Sequence, residues 1–394
     1  MTDKEIFFRH LGLPSFNPLG LEIAKADGIY LYDTSGKKYI DLVSGISVSN
    51  LGHGNPSVIK AIHEQLEKYI HVNVYGEFIL SPQVRLVEKL AYLLPASLSS
   101  TYLVNSGSEA VEGALKLARR FTGRTEIISF GNAYHGSTLG ALSVLGNESL
   151  KNAFRPLIPD TRIIRFNNFD DLKKISPKTA CVIAETIQAE AGMILPEAGF
   201  LEKLRERCTE TGALLIIDDV QMGFGRTGKM FSFENWGFTP DILVLAKAMG
   251  GGMPIGAFSS SKEIMDTLAY QPELGHITTF GGHPVSCAAS LASLEVLTLG
   301  NILEEVTGKG QRIFDAISHH PSIKEIRWKG LAMGVELTDP GMHDRLMRSM
   351  ISNGVIIDWF LFKPDTFRIA PPLIITNEEI DLACELVIKS LNEV

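Results

Sequence analysis

Six short runs rich in branched aliphatic residues set the strongest constraint on this chain: EIISF (126–130), TRIIRF (161–166), ACVIAE (180–185), ALLIID (213–218), ILVLAK (242–247) and IGAFSS (255–260). Most are apolar at odd and even positions alike. Successive side chains of a strand point to opposite faces, so such a run needs apolar cover on both sides, as strands between two helix layers have. Helix-period segments intervene: SVIKAIHEQLEKY (57–69), SPQVRLVEKLAYLL (81–94) and SEAVEGALKLARRF (108–121). Strands alternating with helices predict an α/β fold with a largely parallel sheet. The ends differ, with hairpin-like pieces in GIYLYDTSGKKYIDL and KGLAMGVEL and a helix expected over 340–353. We therefore expect a large domain over 56–290 and a smaller α+β domain assembled from 1–55 and 291–394.

Composition removes several function classes. The charge balance, 37 − 45 = −8, contains no basic stripe of the kind that neutralises a nucleic-acid backbone. Cys181, Cys208, Cys287 and Cys384 are too far apart in sequence for a zinc site and too few for a disulfide framework, so no metal is expected. The N-terminus MTDKEIFFRH has charges where a signal peptide needs an apolar core, and no run has the length and apolarity of a membrane span. A soluble cytoplasmic protein is the expectation.

Two strands end on charge. ALLIID stops on Asp218 before Asp219, and ILVLAK stops on Lys247. Ligands of open α/β sheets bind at the carboxyl edge, and the two positions are one strand–connection–strand unit apart. A ligand crevice and a strand-end salt bridge both account for the pair. Between them, Gly223 to Lys229 imitates a nucleotide phosphate loop, but Met230 stands where the metal-binding hydroxyl belongs and no helix follows. Asn105-Ser-Gly-Ser-Glu-Ala110 suits phosphate better. It follows an apolar run and opens a helix, although the same pattern serves as an ordinary helix cap.

Taken together, GIYLYDTSGKKYIDLVSGISVSNLGHGNP (28–56), NSGSEAVEGALKLAR (105–119), AYHGSTLGALS (133–143), the block from IIDDVQMGFGRTGK through LAKAMGGGMPIGA (216–257), TTFGGHPVSCAA (278–289) and RIAPPL (368–373) resemble the class III pyridoxal-phosphate-dependent aminotransferases, the ornithine, acetylornithine and 4-aminobutyrate type. The likeness covers nearly the whole chain. It implies a fold-type-I transferase with a seven-stranded mixed, mainly parallel sheet, a small domain from both termini, and a homodimer with its active sites at the subunit interface.

The resemblance also implies roles. Lys247 matches the lysine that forms an imine with pyridoxal phosphate, and Asp218 the carboxylate on the pyridine nitrogen. Gln221 would reach the cofactor's 3′-oxygen. Val220 and Tyr134 would flank its ring. Gly107 and Ser108 would hold the phosphate with Thr279 of a second subunit. Arg368 resembles the clamp for a substrate carboxylate, Glu190 its alternative partner, and Ile46 a further substrate contact; Glu185 would support the site from behind. Asp219 replaces the more usual glutamate, and Arg226 and Lys229 are assigned no chemistry. Where many members have an arginine after His-Gly, this chain has Ser137, which cannot neutralise a distal carboxylate. The expected reaction is a ping-pong transamination from an amine or amino acid, with a terminal amine favoured, to 2-oxoglutarate or another oxo-acid. An aminomutase or decarboxylase on the same fold is the alternative.

Overall fold

The computed structural model describes residues 1–394. Its centre is a seven-stranded sheet in the spatial order Ser100–Val104, Gly256–Ser260, Ile242–Leu245, Leu214–Asp218, Thr179–Glu185, Glu126–Phe130, Thr161–Ile164. Gly256–Ser260 runs antiparallel to both its neighbours, and the remaining pairings are parallel. The sheet is thus mixed and mainly parallel, as the resemblance implies.

Burial explains the apolar runs. In Leu214–Asp218, Leu215 and Ile217 belong to one core and Ile216 to another on the opposite face. The same alternation holds in the neighbouring strand, with Val182 and Ala184 on one side and Ile183 on the other. Every residue of both strands is buried. One layer includes the helix Gly107–Thr122, whose Gly113 lies so close to the Phe258 ring that a Cβ there would collide with it. A bulkier residue would lift the helix, and with it the helix N-terminus, off the sheet.

Both ends of the chain build two further sheets. Ile23–Asp27, Tyr30–Asp33 and Lys38–Asp41 form a meander, joined in parallel by Val355–Ile356 from the far end of the sequence. Ile323–Lys329, Ala332–Leu337, Lys363–Ile369 and Asp358–Phe360 form an antiparallel sheet in that order. The helix Pro284–Leu299 runs across position 290, and a single apolar core extends from Leu243 of the central sheet to Leu42 and Ile369 of the terminal ones.

Two local expectations change. The fifth run, ILVLAK, ends as a strand at Leu245, so Lys247 is not the last residue of a strand but the first of a 3-10 turn, Lys247–Gly250. The phosphate-loop imitation is a tether. Arg226 is fully buried and donates to Leu331 O at 2.9 Å, Pro371 O at 2.6 Å and Asn50 Oδ1 at 2.5 Å, while Lys229 is exposed. That arginine ties the segment between Asp218 and Lys247 to both halves of the terminal region.

Candidate active site

Three adjacent parallel strands deliver three ionisable side chains to one edge. Glu185 and Asp218 are directly opposite one another in the ladder, Asp218 is opposite Val244, and Lys247 follows just beyond that strand. A cavity of about 450 Å³ opens there, with Lys247, Asp218, Glu185 and Tyr134 among its lining residues.

The Lys247 side chain makes no hydrogen bond or ion pair. Its backbone has φ 50°, a left-handed conformation that a lysine adopts only when its surroundings impose it. Burial lowers its pKa below the ordinary lysine value; nearby Glu190 opposes that shift and Arg368 adds to it. The result is an amine whose neutral, nucleophilic form is easier to reach than that of a free lysine.

Asp218 is fixed by two donors. Its Oδ1 accepts from Val220 N at 3.1 Å and its Oδ2 lies 2.7 Å from Nδ1 of His135. A carboxylate can only accept, so Nδ1 carries the proton. The His135 side chain is fully buried, and its Nε2 has no partner. Glu185 accepts from Tyr134 N at 3.2 Å and Ala189 N at 3.1 Å. Burial, reinforced by the adjacent Asp218, raises its pKa well above the ordinary carboxylate value, against the two backbone donors that favour its charged form. Asp219 turns away, accepting from Ser232 N at 2.9 Å, and takes no place in the cavity wall.

The opposite end of the cavity is a cup. Ser106 caps the helix Gly107–Thr122 with its Oγ on Glu109 N, leaving the amides of Gly107 and Ser108 as first-turn donors. Ser108 Oγ accepts from Ser137 N at 3.2 Å. Gly136 closes the cup at φ 124°, and a Cβ on it would collide with Ser108 Oγ. A partnerless lysine, an anchored carboxylate and an anion cup around one cavity are what a phosphorylated pyridine aldehyde requires, so these residues fit pyridoxal phosphate.

Of the residues singled out from sequence, Lys247, Asp218, Gly107, Ser108, Tyr134, Val220 and Gln221 all line the cavity. Arg368 and Glu190 meet in a buried ion pair of 2.6 Å, although neither forms the cavity wall. Thr279 stays outside: it is exposed, with its hydroxyl 3.2 Å from Tyr75 Oη. Ile46 is also outside, half-exposed on a turn in which Ser44, Gly45, Ile46 and Ser47 all have positive φ. Val48, two residues on, reaches the wall instead. Sequence reading passed over His135, whose one signal was its position between Tyr134 and Gly136. It also passed over Asp358, whose Oδ2 lies 3.2 Å from Arg368 Nη1.

Known proteins resemble this chain over nearly its whole length. A family model described as aminotransferase class-III matches residues 14–391. The acetylornithine aminotransferase of Archaeoglobus fulgidus is 38% identical over 368 residues, 93% of this chain and 94% of that protein. That of Methanocaldococcus jannaschii is also 38% identical, over 97% of this chain and 95% of its own. Among solved structures, an ornithine aminotransferase from Toxoplasma gondii, described with partial occupancy of PLP at its active site, superposes with TM-score 0.91 at 30% identity, covering 99% of this chain and 94% of that one. An (S)-enantioselective omega-transaminase from Thermomicrobium roseum gives TM-score 0.92 at 28% identity, covering 99% and 97%.

Proposed function

The chain belongs to the class-III aminotransferase family, and from that premise we propose which residues carry its reaction, which donor it accepts and how it assembles. The reaction is pyridoxal-phosphate-dependent transamination between a small amino donor and an oxo-acid. When bound, the cofactor supplies an aldehyde to take up nitrogen and a ring to withdraw electron density from the reacting carbon.

Lys247 is the reacting amine. Its Nζ would take the proton from the amine-bearing carbon of the donor and pass it to the carbon that carried the cofactor's aldehyde, and would carry a proton the opposite way, onto the oxo-acid carbon, in the second half of the cycle. Asp218 holds a proton on the pyridine nitrogen, with His135 and Val220 N keeping its carboxylate in place. Gly107, Ser108 and the first helical turn hold the phosphate. Tyr134 and Val220 would confine the ring, and Gln221 would hold the 3′-oxygen. Arg368 takes a carboxylate of the oxo-acid, and Glu190 occupies that arginine when an amine without such a group is bound. Of these features, the partnerless, strained Lys247 beside Asp218 carries the reading.

The donor is a terminal amine whose far end is not anionic. Ser137 offers no charge, and Lys247 is the sole lysine or arginine among the cavity residues. Val48, Met222, Met253 and Ile255 make the wall apolar and keep water from the reacting carbon. The acceptor is 2-oxoglutarate or another oxo-acid.

A homodimer completes the site, with Thr279 of each subunit reaching the other's phosphate cup. In support, Ile70, Phe78, Ile79, Ile277 and Phe280 are all exposed, and His71 touches Phe280 while Tyr75 touches Thr279. These contacts knit 70–80 and 277–280 into one apolar patch of the kind that subunits cover. We assign the enzyme to the cytoplasm, on the ground that its four cysteines are free and buried. No single helix is long and apolar enough to cross a membrane.

The test is reduction of the purified protein with borohydride, followed by peptide mapping. A visible absorption band before reduction and a pyridoxyl label on Lys247 are expected. A protein that stays colourless with added pyridoxal phosphate, or a label on another lysine, would refute the assignment. A panel of amines and amino acids, scored for glutamate formed from 2-oxoglutarate, then tests the donor; preference for donors with a distal carboxylate would refute that part.

A further inference from the structure

Two carboxylates hold the Arg368 guanidinium, and they are held in different ways. Glu190 Oε1 lies 2.6 Å from Nη2 and Asp358 Oδ2 lies 3.2 Å from Nη1. Glu190 stands on the irregular segment that follows the strand Thr179–Glu185, where its Oε2 accepts from Leu361 N at 3.1 Å. Asp358 begins the strand Asp358–Phe360 and is directly opposite Arg368 in an antiparallel ladder. Cross-strand partners stay adjacent for as long as the sheet persists. Phe360 of the same strand lies against the guanidinium, its ring centroid 4.5 Å from Cζ. When a substrate carboxylate displaces Glu190, Asp358 and Phe360 remain in place.

Asp358 is an expensive residue for a packing role. Its Oδ1 is buried without a partner, and its one side-chain contact is the arginine. Burial pushes its pKa up to about 6, which leaves it mostly charged at neutral pH. A neutral side chain would fill the position without that desolvation.

Charge accounting gives the carboxylate a use. With Glu190 and Asp358 ionised, the trio carries −1; replacing Glu190 by a substrate carboxylate leaves it at −1. Without Asp358 the trio would be neutral in both states, and the incoming anion would meet a less compensated arginine. We propose that Asp358 is a specificity-determining residue for the oxo-acid half of the cycle, weakening the grip of Arg368 on a substrate carboxylate so that the bound anion leaves and an uncharged donor end can follow. This rests on Arg368 being the carboxylate clamp.

The experiment is calorimetric titration of the holoenzyme with glutarate, a dicarboxylate without a reactive carbonyl. Asp358→Asn keeps an oxygen for Nη1 and removes the charge, so glutarate should bind more tightly, on the order of tenfold, while the KM for the best amine donor stays within about twofold. Asp358→Thr removes the charge by a second, strand-compatible route and should shift glutarate binding in the same direction, which keeps the test valid if one variant does not fold. Unchanged or weaker glutarate binding in these variants overturns the proposal, and weakening in both would mean that Asp358 merely positions the arginine. Arg368→Gln separates the two readings. It should abolish glutarate binding; if it does not, the clamp assignment and this proposal both fall.

Discussion

Replacing His135 by phenylalanine should separate cofactor affinity from stability. The ring is fully buried, with Nδ1 2.7 Å from Asp218 Oδ2 and Nε2 without any partner. A buried, unpartnered polar atom costs about 1–3 kcal/mol, so half of this imidazole is a liability to the fold. Its return is the hydrogen bond to a carboxylate, worth about 1.5–3 kcal/mol. Phenylalanine fills a similar volume and removes both. In the apoprotein, water in the cavity can reach Asp218, whose side chain is 6% exposed, and replace the lost donor. The apoprotein should therefore melt at the wild-type temperature or above it. With pyridoxal phosphate in place that water is excluded, and the carboxylate has only Val220 N to stabilise its charge toward the pyridine nitrogen. The dissociation constant of the cofactor should rise by roughly 10- to 150-fold, taking 1.4 kcal/mol per decade. Apoprotein would be titrated with pyridoxal phosphate and followed by visible absorbance, with thermal unfolding of the apo form in parallel. A cofactor affinity within about threefold of wild type would refute the role given to His135. So would a loss of affinity that merely tracks a loss of apoprotein stability.

Three further outcomes are expected. Burial raises the Asp219 pKa from 3.8 to about 7, so the folded state holds its proton more tightly than the unfolded chain and stability from this group is lost as pH rises through that window. Asp219→Asn should gain on wild type by about 2–3 kcal/mol between about pH 5 and about pH 8, measured by unfolding at both; a constant difference would contradict it. Arg226→Met leaves three buried acceptors without a donor and should cost about 3–5 kcal/mol, read as a large drop in melting temperature; a drop of only a degree or two would show that the tether is dispensable. Gly136→Ala forces a side chain into a left-handed backbone and against Ser108 Oγ, so cofactor affinity should fall by at least about tenfold, by absorbance titration, while the far-UV circular dichroism is kept; an unchanged affinity would detach Ser108 from the phosphate.

The sheet was legible because its signal is local. A strand covered on both faces needs apolar residues at every position, and Thr179–Glu185 and Leu214–Asp218 satisfy that residue by residue. Asp218, Lys247 and the helix-opening Ser-Gly-Ser could be picked out for the same reason, each sitting at or just beyond the end of a regular element that itself shows in the pattern. Ile46 and Thr279 were less tractable. One lies on a left-handed turn and the other on an exposed surface, and for neither does spacing along the chain reveal what it faces. Met230 and the missing helix already argued against a phosphate loop at 223–229, but the structural role of Arg226 could not be read from its neighbours, because its three acceptors lie far away in sequence.

By itself, then, the sequence determined the layered α/β architecture and marked Asp218, Lys247 and the helix-opening Ser-Gly-Ser as candidates at its carboxyl edge, with their roles implied only by the family resemblance. Hydrophobic periodicity and helix-end chemistry act over a few residues and are written in consecutive letters. The tertiary structure alone decided that His135 steadies Asp218, that Lys247 is partnerless and strained, and that Asp358 shares Arg368 with Glu190. Those are matters of charge and hydrogen bonding between side chains far apart or on neighbouring strands. Their energies depend on distance and burial, which exist only once the chain has folded.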